Sequence, residues 1–265
     1  MKIIPFITRF TKRQQFVLFA LLLTVGLFIS EFFSGITFLL LALAVAVLTC
    51  VFLFVSLKND IKGTFWYPIF VLPFFFSLSF ALFYSLVPAR LLSRIILATI
   101  YGFGLYSLFL SQNIFAVSGI RTINLLRSAR IVSFVLTIVA FFFLVNVSFS
   151  ARPPFFVLPV LIFAVSFFLN FQSQWMYLLD RHLFKEALIS AFFVSLAMFE
   201  LSFTLILWPL TPAIYSIFLT GMFYTYSGLF HAWVEKRLFK GVLLEYLWVG
   251  FLSILLLLLF STWGM

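Results

Sequence analysis

The feature that most limits what this chain can fold into is a succession of uninterrupted apolar runs. Each is close to the ~20 residues a helix needs to cross a hydrocarbon layer about 30 Å thick. Residues 35–57 and 155–179 each run their whole length without a charged side chain. A membrane barrel would instead show short segments, roughly 10 residues long, alternating apolar and polar. Among open-ended elements, only a helix satisfies every backbone N–H and C=O group inside lipid. The composition agrees: 65% of the residues are hydrophobic and 9% are charged, where a soluble domain carries about 25% charged residues. That is too little charge to coat a solvated globule.

The polar breaks predict about nine spans in one polytopic transmembrane domain over residues 1–265, near 16–30, 35–57, 67–87, 91–118, 131–148, 155–179, 187–207, 213–234 and 242–260. The basic leader ahead of Phe16 has the outline of a signal peptide but no small-x-small cleavage site, so we read an uncleaved first span. Pro68 and Pro73 bend the third span, and Pro88 ends it. Arg152-Pro153-Pro154 and the stretch from Trp208 to Pro212 mark tight turns.

Fourteen of the 17 Lys and Arg residues fall in the leader and in the loops at 58–62, 121–130, 181–185 and 236–240. The remaining three are Arg90, Arg94 and Arg152 on the opposite side. By the positive-inside rule the N-terminus is cytoplasmic. Nine spans then place the C-terminus outside, and the fold class is an all-α integral membrane protein with a first span and four hairpins turning in the cytoplasm. The expected location is a bacterial cytoplasmic membrane.

A net charge of +10 would suggest nucleic acid in a soluble protein. Here the basic residues sit in short loops, with no basic stripe interleaved with exposed aromatics, so nucleic acid is excluded as a partner. The expected partners are membrane lipids and other membrane subunits. The 42 phenylalanines read as lipid-compatible filler echoing an AT-rich genome. Cys50 is the only cysteine, which excludes an internal disulfide and a Cys-based metal site. No cofactor and no metal are expected.

An ionisable group inside lipid costs about 2.5–3.5 kcal/mol on insertion scales, which makes each one a functional candidate. Glu200 is the one acid plainly inside a span, roughly 10 Å deep at about 1.5 Å per residue. We expect it to face the bundle interior and pair with Arg94, with Arg90 or Arg152 as the alternative partner and with Asn146 nearby as a third ligand or proton-coupling candidate. Gln112, Asn113, Asn170, Gln172 and Gln174 form a second polar group that reads as interhelical hydrogen-bond glue. Such a group becomes a pathway if it converges with Tyr101, Tyr106 and Tyr224. Asp180, His182, His231 and Glu235 are polar candidates at the cytoplasmic boundary, without the spacing of a metal site.

Asp180-Arg181-His182-Leu183-Phe184-Lys185 and Glu235-Lys236-Arg237-Leu238-Phe239-Lys240 match at an offset of 55 residues. The similarity reads as convergence on an interfacial helix start, with a duplicated hairpin as the alternative. Nucleophile elbows, P-loops and paired-glutamate metalloprotease helices are absent, and Tyr101-Gly102-Phe103-Gly104 lacks the third glycine of a dinucleotide fingerprint. The leading expectation is therefore a non-catalytic carrier or binder of a small molecule or lipid. A structural or assembly subunit of a larger complex comes second. A lipid-modifying enzyme using the four interfacial residues comes third.

Overall fold

A computed structural model of the chain describes residues 11–30, 32–58, 61, 67–88, 90–118, 125–178 and 184–261. Every regular element among them is a helix: α1 Lys12–Ser30, α2 Gly35–Leu57, α3 Pro68–Tyr84, α4 Leu91–Ser118, α5 Leu126–Ser150, α6 Val157–Leu178, α7 Phe184–Leu205, α8 Pro212–Val234 and α9 Lys240–Phe260. Seven of these are long and apolar enough to cross a membrane, as a multi-pass membrane protein requires. The other two differ from the sequence expectation for separate reasons. With 17 residues, α3 is about 25 Å long at ~1.5 Å per residue, shorter than a ~30 Å hydrocarbon core. Helix α8 has 23 residues, but Tyr215, Thr220, Tyr224, Tyr226 and His231 dilute its apolar character.

The chain divides into two compact units, Met1–Leu136 and Thr137–Met265, with α5 contributing to each. In the first, α1 docks on α2 and α4, α2 on α3, and α3 on α4. The buried stripe of α1 is Phe16, Phe19, Ala20, Leu23 and Leu27, whose spacings of three and four residues keep one face inward. Phe19 stacks on Phe52 of α2 at 4.5 Å.

Three helices of this unit are tied by a buried hydroxyl chain. Thr49 Oγ1 lies 2.8 Å from Ser77 Oγ, which lies 2.9 Å from the Tyr101 hydroxyl. All three side chains are fully buried, and the Tyr101 ring packs on Phe76 and Phe80. Removing that hydroxyl in Tyr101→Phe leaves the Thr49–Ser77 bond in place. The variant is expected to lose about 1 kcal/mol, the usual net value of one intramolecular hydrogen bond, measured by equilibrium unfolding of the detergent-solubilised chain.

In the second unit α6 and α7 form the most extensive pairing, α8 touches both, and α9 lies along α8. Phenylalanines fill the α6–α7 interface: Phe163 meets Phe192 and Phe199 edge-on, and Phe155 meets Phe203. The composition bias is thus used as packing material. The second-unit part of α5 is held through stacked rings, Phe141 on Phe223 at 4.2 Å and Phe149 on Tyr215 at 4.3 Å.

The α8–α9 contact is a seam of small residues. A Cβ on Gly221 would collide with Ser253, a Cβ on Gly228 with the Tyr246 ring, and a Cβ on Gly250 would lie 3.3 Å from Thr225 Oγ1. Without a hydrophobic drive between helices in lipid, such close backbone approach is what association depends on. Thr225 Oγ1 donates to the Gly221 carbonyl of its own helix at 2.8 Å and approaches the Tyr246 carbonyl across the seam at 3.3 Å.

Candidate functional site

Two places in the fold gather the features singled out from the sequence, one in each unit. The first is a groove of about 450 Å³ between α1 and α4, open at the surface of the first unit. Its walls include Val17, Ala20 and Thr24 of α1 and Thr99, Gly102 and Tyr106 of α4. The groove exists because Ala20, Ala98 and Gly102 offer little side chain where the helices approach. A Cβ on Gly102 would come within 2.8 Å of Thr24 Oγ1. Both threonine hydroxyls are satisfied inside their own helices, Thr24 by the Ala20 carbonyl and Thr99 by the Ile95 carbonyl, each at 2.7 Å. With those donors turned inward, the groove presents mostly methyl and methylene surface, with the Tyr106 phenol as its polar tip.

The second place is a buried polar core between α6 and α8. Asn170 Oδ1 accepts from Ser227 Oγ at 2.7 Å and from Gln174 Nε2 at 3.3 Å. One turn further along, Ser173 Oγ lies 3.0 Å from His231 Nε2. The imidazole also stacks on Tyr177, with 3.9 Å between ring centres and 11° between planes. Asn170, Ser173, Gln174 and Ser227 are fully buried, and His231 nearly so. Local sequence explains the convergence. Residues 170, 173, 174 and 177 share one α6 face by their spacings of three and four, and 227 and 231 share one α8 face. Gln172, on the far side of the same turn, donates to Met176 Sδ at 3.2 Å.

Two of the amides expected as glue, Asn170 and Gln174, therefore lie one turn from the Ser173–His231 pair within one unit. Gln112 bonds separately to Ser133 at a long 3.5 Å. Tyr101 is committed to the hydroxyl chain and Tyr106 to the groove. Ser173, Ser227 and Tyr177 complete the core without having been singled out from the sequence. Their signal was their helical register with Asn170 and His231, visible only once α6 and α8 are known to pair.

The charged candidates are placed differently. Glu200, expected to face the bundle interior, is exposed on α7. The buried face of that helix is Ala187, Ala191, Ser195, Met198, Ser202 and Leu205, and at 100° per residue position 200 lies on the opposite side. Arg94 and Asn146 are half-buried. The backbone carbonyl of Arg94 accepts the Tyr84 hydroxyl at 3.1 Å. Arg94 belongs to the first unit and Glu200 to the second. Glu235 caps α8 and lies 3.7 Å from Arg237, a loose and half-exposed pair. Asp180 and His182 lie outside the described residues, as do Lys62, Arg121 and Arg181 of the basic loops. Among the described residues, no three His, Cys, Asp or Glu side chains gather as a metal site.

A protein-family model described as a protein of unknown function, DUF5656, matches residues 24–260. No curated protein matches the chain, and no solved structure does.

Proposed function

We propose that this chain, which belongs to the DUF5656 family of proteins of unknown function, is a non-catalytic multi-pass membrane protein that binds a lipid, with an acyl chain lying in the α1–α4 groove. The observation that carries this reading is the groove's chemistry. Its volume of about 450 Å³ falls in the ~300–1,000 Å³ range of small-molecule sites. With both threonine hydroxyls bonded to their own backbone, its walls offer a hydrocarbon guest dispersion contact and a polar solute little to bond. The Tyr106 hydroxyl suits an ester or hydroxyl at the polar end of the guest. In this reading all nine helices lie in the membrane, the short α3 flanked by the longer α2 and α4 and the more polar α8 packed against α6, α7 and α9, with the basic loops on the cytoplasmic side of a bacterial inner membrane.

Filling the groove tests the reading. Thr99 is exposed at its edge, so Thr99→Trp adds bulk there while disturbing little of the core. A phosphatidylcholine carrying a photoreactive group on its acyl chain is expected to label peptides of α1 and α4 in the wild type. Labelling should be lower by roughly tenfold in the variant, equivalent to about 1.4 kcal/mol of lost contact. Equal labelling of the two proteins, or labelling spread evenly over all helices, sinks the proposal.

A second reading, as a structural or assembly subunit, draws support from α9. That helix buries only Gly250, Ser253 and Leu257 against α8 and exposes Leu244, Leu247, Trp248 and Phe251. A partner helix seated there would leave Trp248→Ala unable to copurify it, whereas a lipid-facing surface would tolerate the change.

A further inference from the structure

At the end of the second unit remote from His231, α5 and α7 finish and α6 and α8 begin, and between them is a pocket of about 390 Å³. It is lined by Phe149 and Ser150 of α5, Arg152 in the turn, Leu158 of α6, and Ile206 and Leu210 after α7. None of its lining residues is acidic. Arg152 is its one charged group, is exposed, and makes no ion pair among the described residues.

We propose that this pocket binds the phosphate of an anionic phospholipid, with Arg152 as the anchoring cation. A guanidinium presents a planar fork of donors that matches phosphate oxygens, and Ser150 adds a hydroxyl on the same wall. The rest of the lining is apolar, which fits the glycerol and first methylenes of a lipid better than a free anion. The first turns of α6 and α8 start beside the pocket, so their positive backbone ends reinforce the attraction. The site shares no residue with the α1–α4 groove, and the two stand or fall separately.

The test is native mass spectrometry of the full chain in detergent, offered dioleoyl phosphatidylglycerol or dioleoyl phosphatidylcholine. The wild type is expected to retain the anionic lipid preferentially. Arg152→Gln should lower that retention about fivefold, in line with one basic residue acting on an anionic headgroup, and Arg152→Lys should keep most of it. Arg237→Gln, at the other end of the unit, should leave it unchanged. Equal retention of the two lipids by the wild type overturns the proposal. So does undiminished retention by Arg152→Gln. Displacement of the lipid by millimolar inorganic phosphate would reassign the pocket to free phosphate and overturn the lipid assignment. Because Thr99→Trp should preserve the phosphatidylglycerol preference, failure at Arg152 leaves the groove reading intact, and failure at the groove leaves this one intact.

Discussion

Gly221→Val is expected to destabilise the chain by about 3 kcal/mol, at the upper end of what overpacking a tight interface costs. A Cβ at this position meets the Cβ of Ser253 at 2.8 Å as well as its Oγ. That Cβ is fixed to the α9 backbone, so no side-chain rotation relieves the collision and the two helices must separate. Separation also lengthens the 3.3 Å approach of Thr225 Oγ1 to the Tyr246 carbonyl and the Thr225–Gly250 contact. Gly228→Ala provides the contrast. Its new Cβ meets the Tyr246 ring, which is half-buried and can swing aside, so a loss of only about 1 kcal/mol is expected. Equilibrium unfolding of the two variants in mixed detergent checks both values. A Gly221→Val protein as stable as the wild type would mean that the α8–α9 seam is not the close contact described.

Asn170→Leu is the second large effect, with an expected loss of about 2 kcal/mol. A single interhelical hydrogen bond in a membrane averages only about 0.6 kcal/mol, so one bond is not enough to give that figure. Asn170 Oδ1, however, accepts from both Ser227 and Gln174. Removing it leaves two fully buried donors, each costing about 1–3 kcal/mol when wholly unsatisfied. The Ser227 hydroxyl can turn back to its own helix, as serines elsewhere in this chain do, which keeps the sum near the lower bound. Ser227→Ala should therefore cost less than Asn170→Leu. The double variant should show a coupling of about 1 kcal/mol in a thermodynamic cycle, as contacting residues do. Additive losses would show that the Asn170–Ser227 bond does not form.

Helix positions were legible from the sequence because apolar length and polar breaks are local properties. The runs around Gly35–Leu57 and Leu91–Ser118 become α2 and α4 with those ends, since nothing within them competes with a helix. The ends moved where polar residues join a helix without belonging to its apolar run. Thus α5 begins at Leu126 and takes in Arg127 and Arg130, because a basic first turn can be helical while lying outside the hydrocarbon. The partial polarity of α8 was legible too, residue by residue, although a run bounded by Pro212 and Val234 reads simply as another span.

The candidate sites were less legible. Burying a charge is costly, which made Glu200 the natural focus, but the packing of α7 turns the face carrying Ser195 and Ser202 inward and leaves Glu200 on the exposed side of its helix. The amides and His231 were visible individually as polar residues in apolar runs. The bonds that Asn170 and His231 make with Ser227 and Ser173 were not, because partners 57 and 58 positions apart become neighbours only through the pairing of α6 with α8.

What the sequence determined alone is the class of the protein: hydrophobic length, charge scarcity and the placement of Lys and Arg require helices suited to a membrane, by transfer energies that act on each segment separately. What the tertiary structure decided is which face of each helix turns inward. Gly221 against Ser253, Gly102 against Thr24 and the Asn170–Ser227–Gln174 cluster all depend on the rotation of one helix against another. In helices apolar on every side, little in the hydrophobic pattern sets that rotation. Small residues and buried hydrogen bonds set it, and their energies exist only once two helices are in contact.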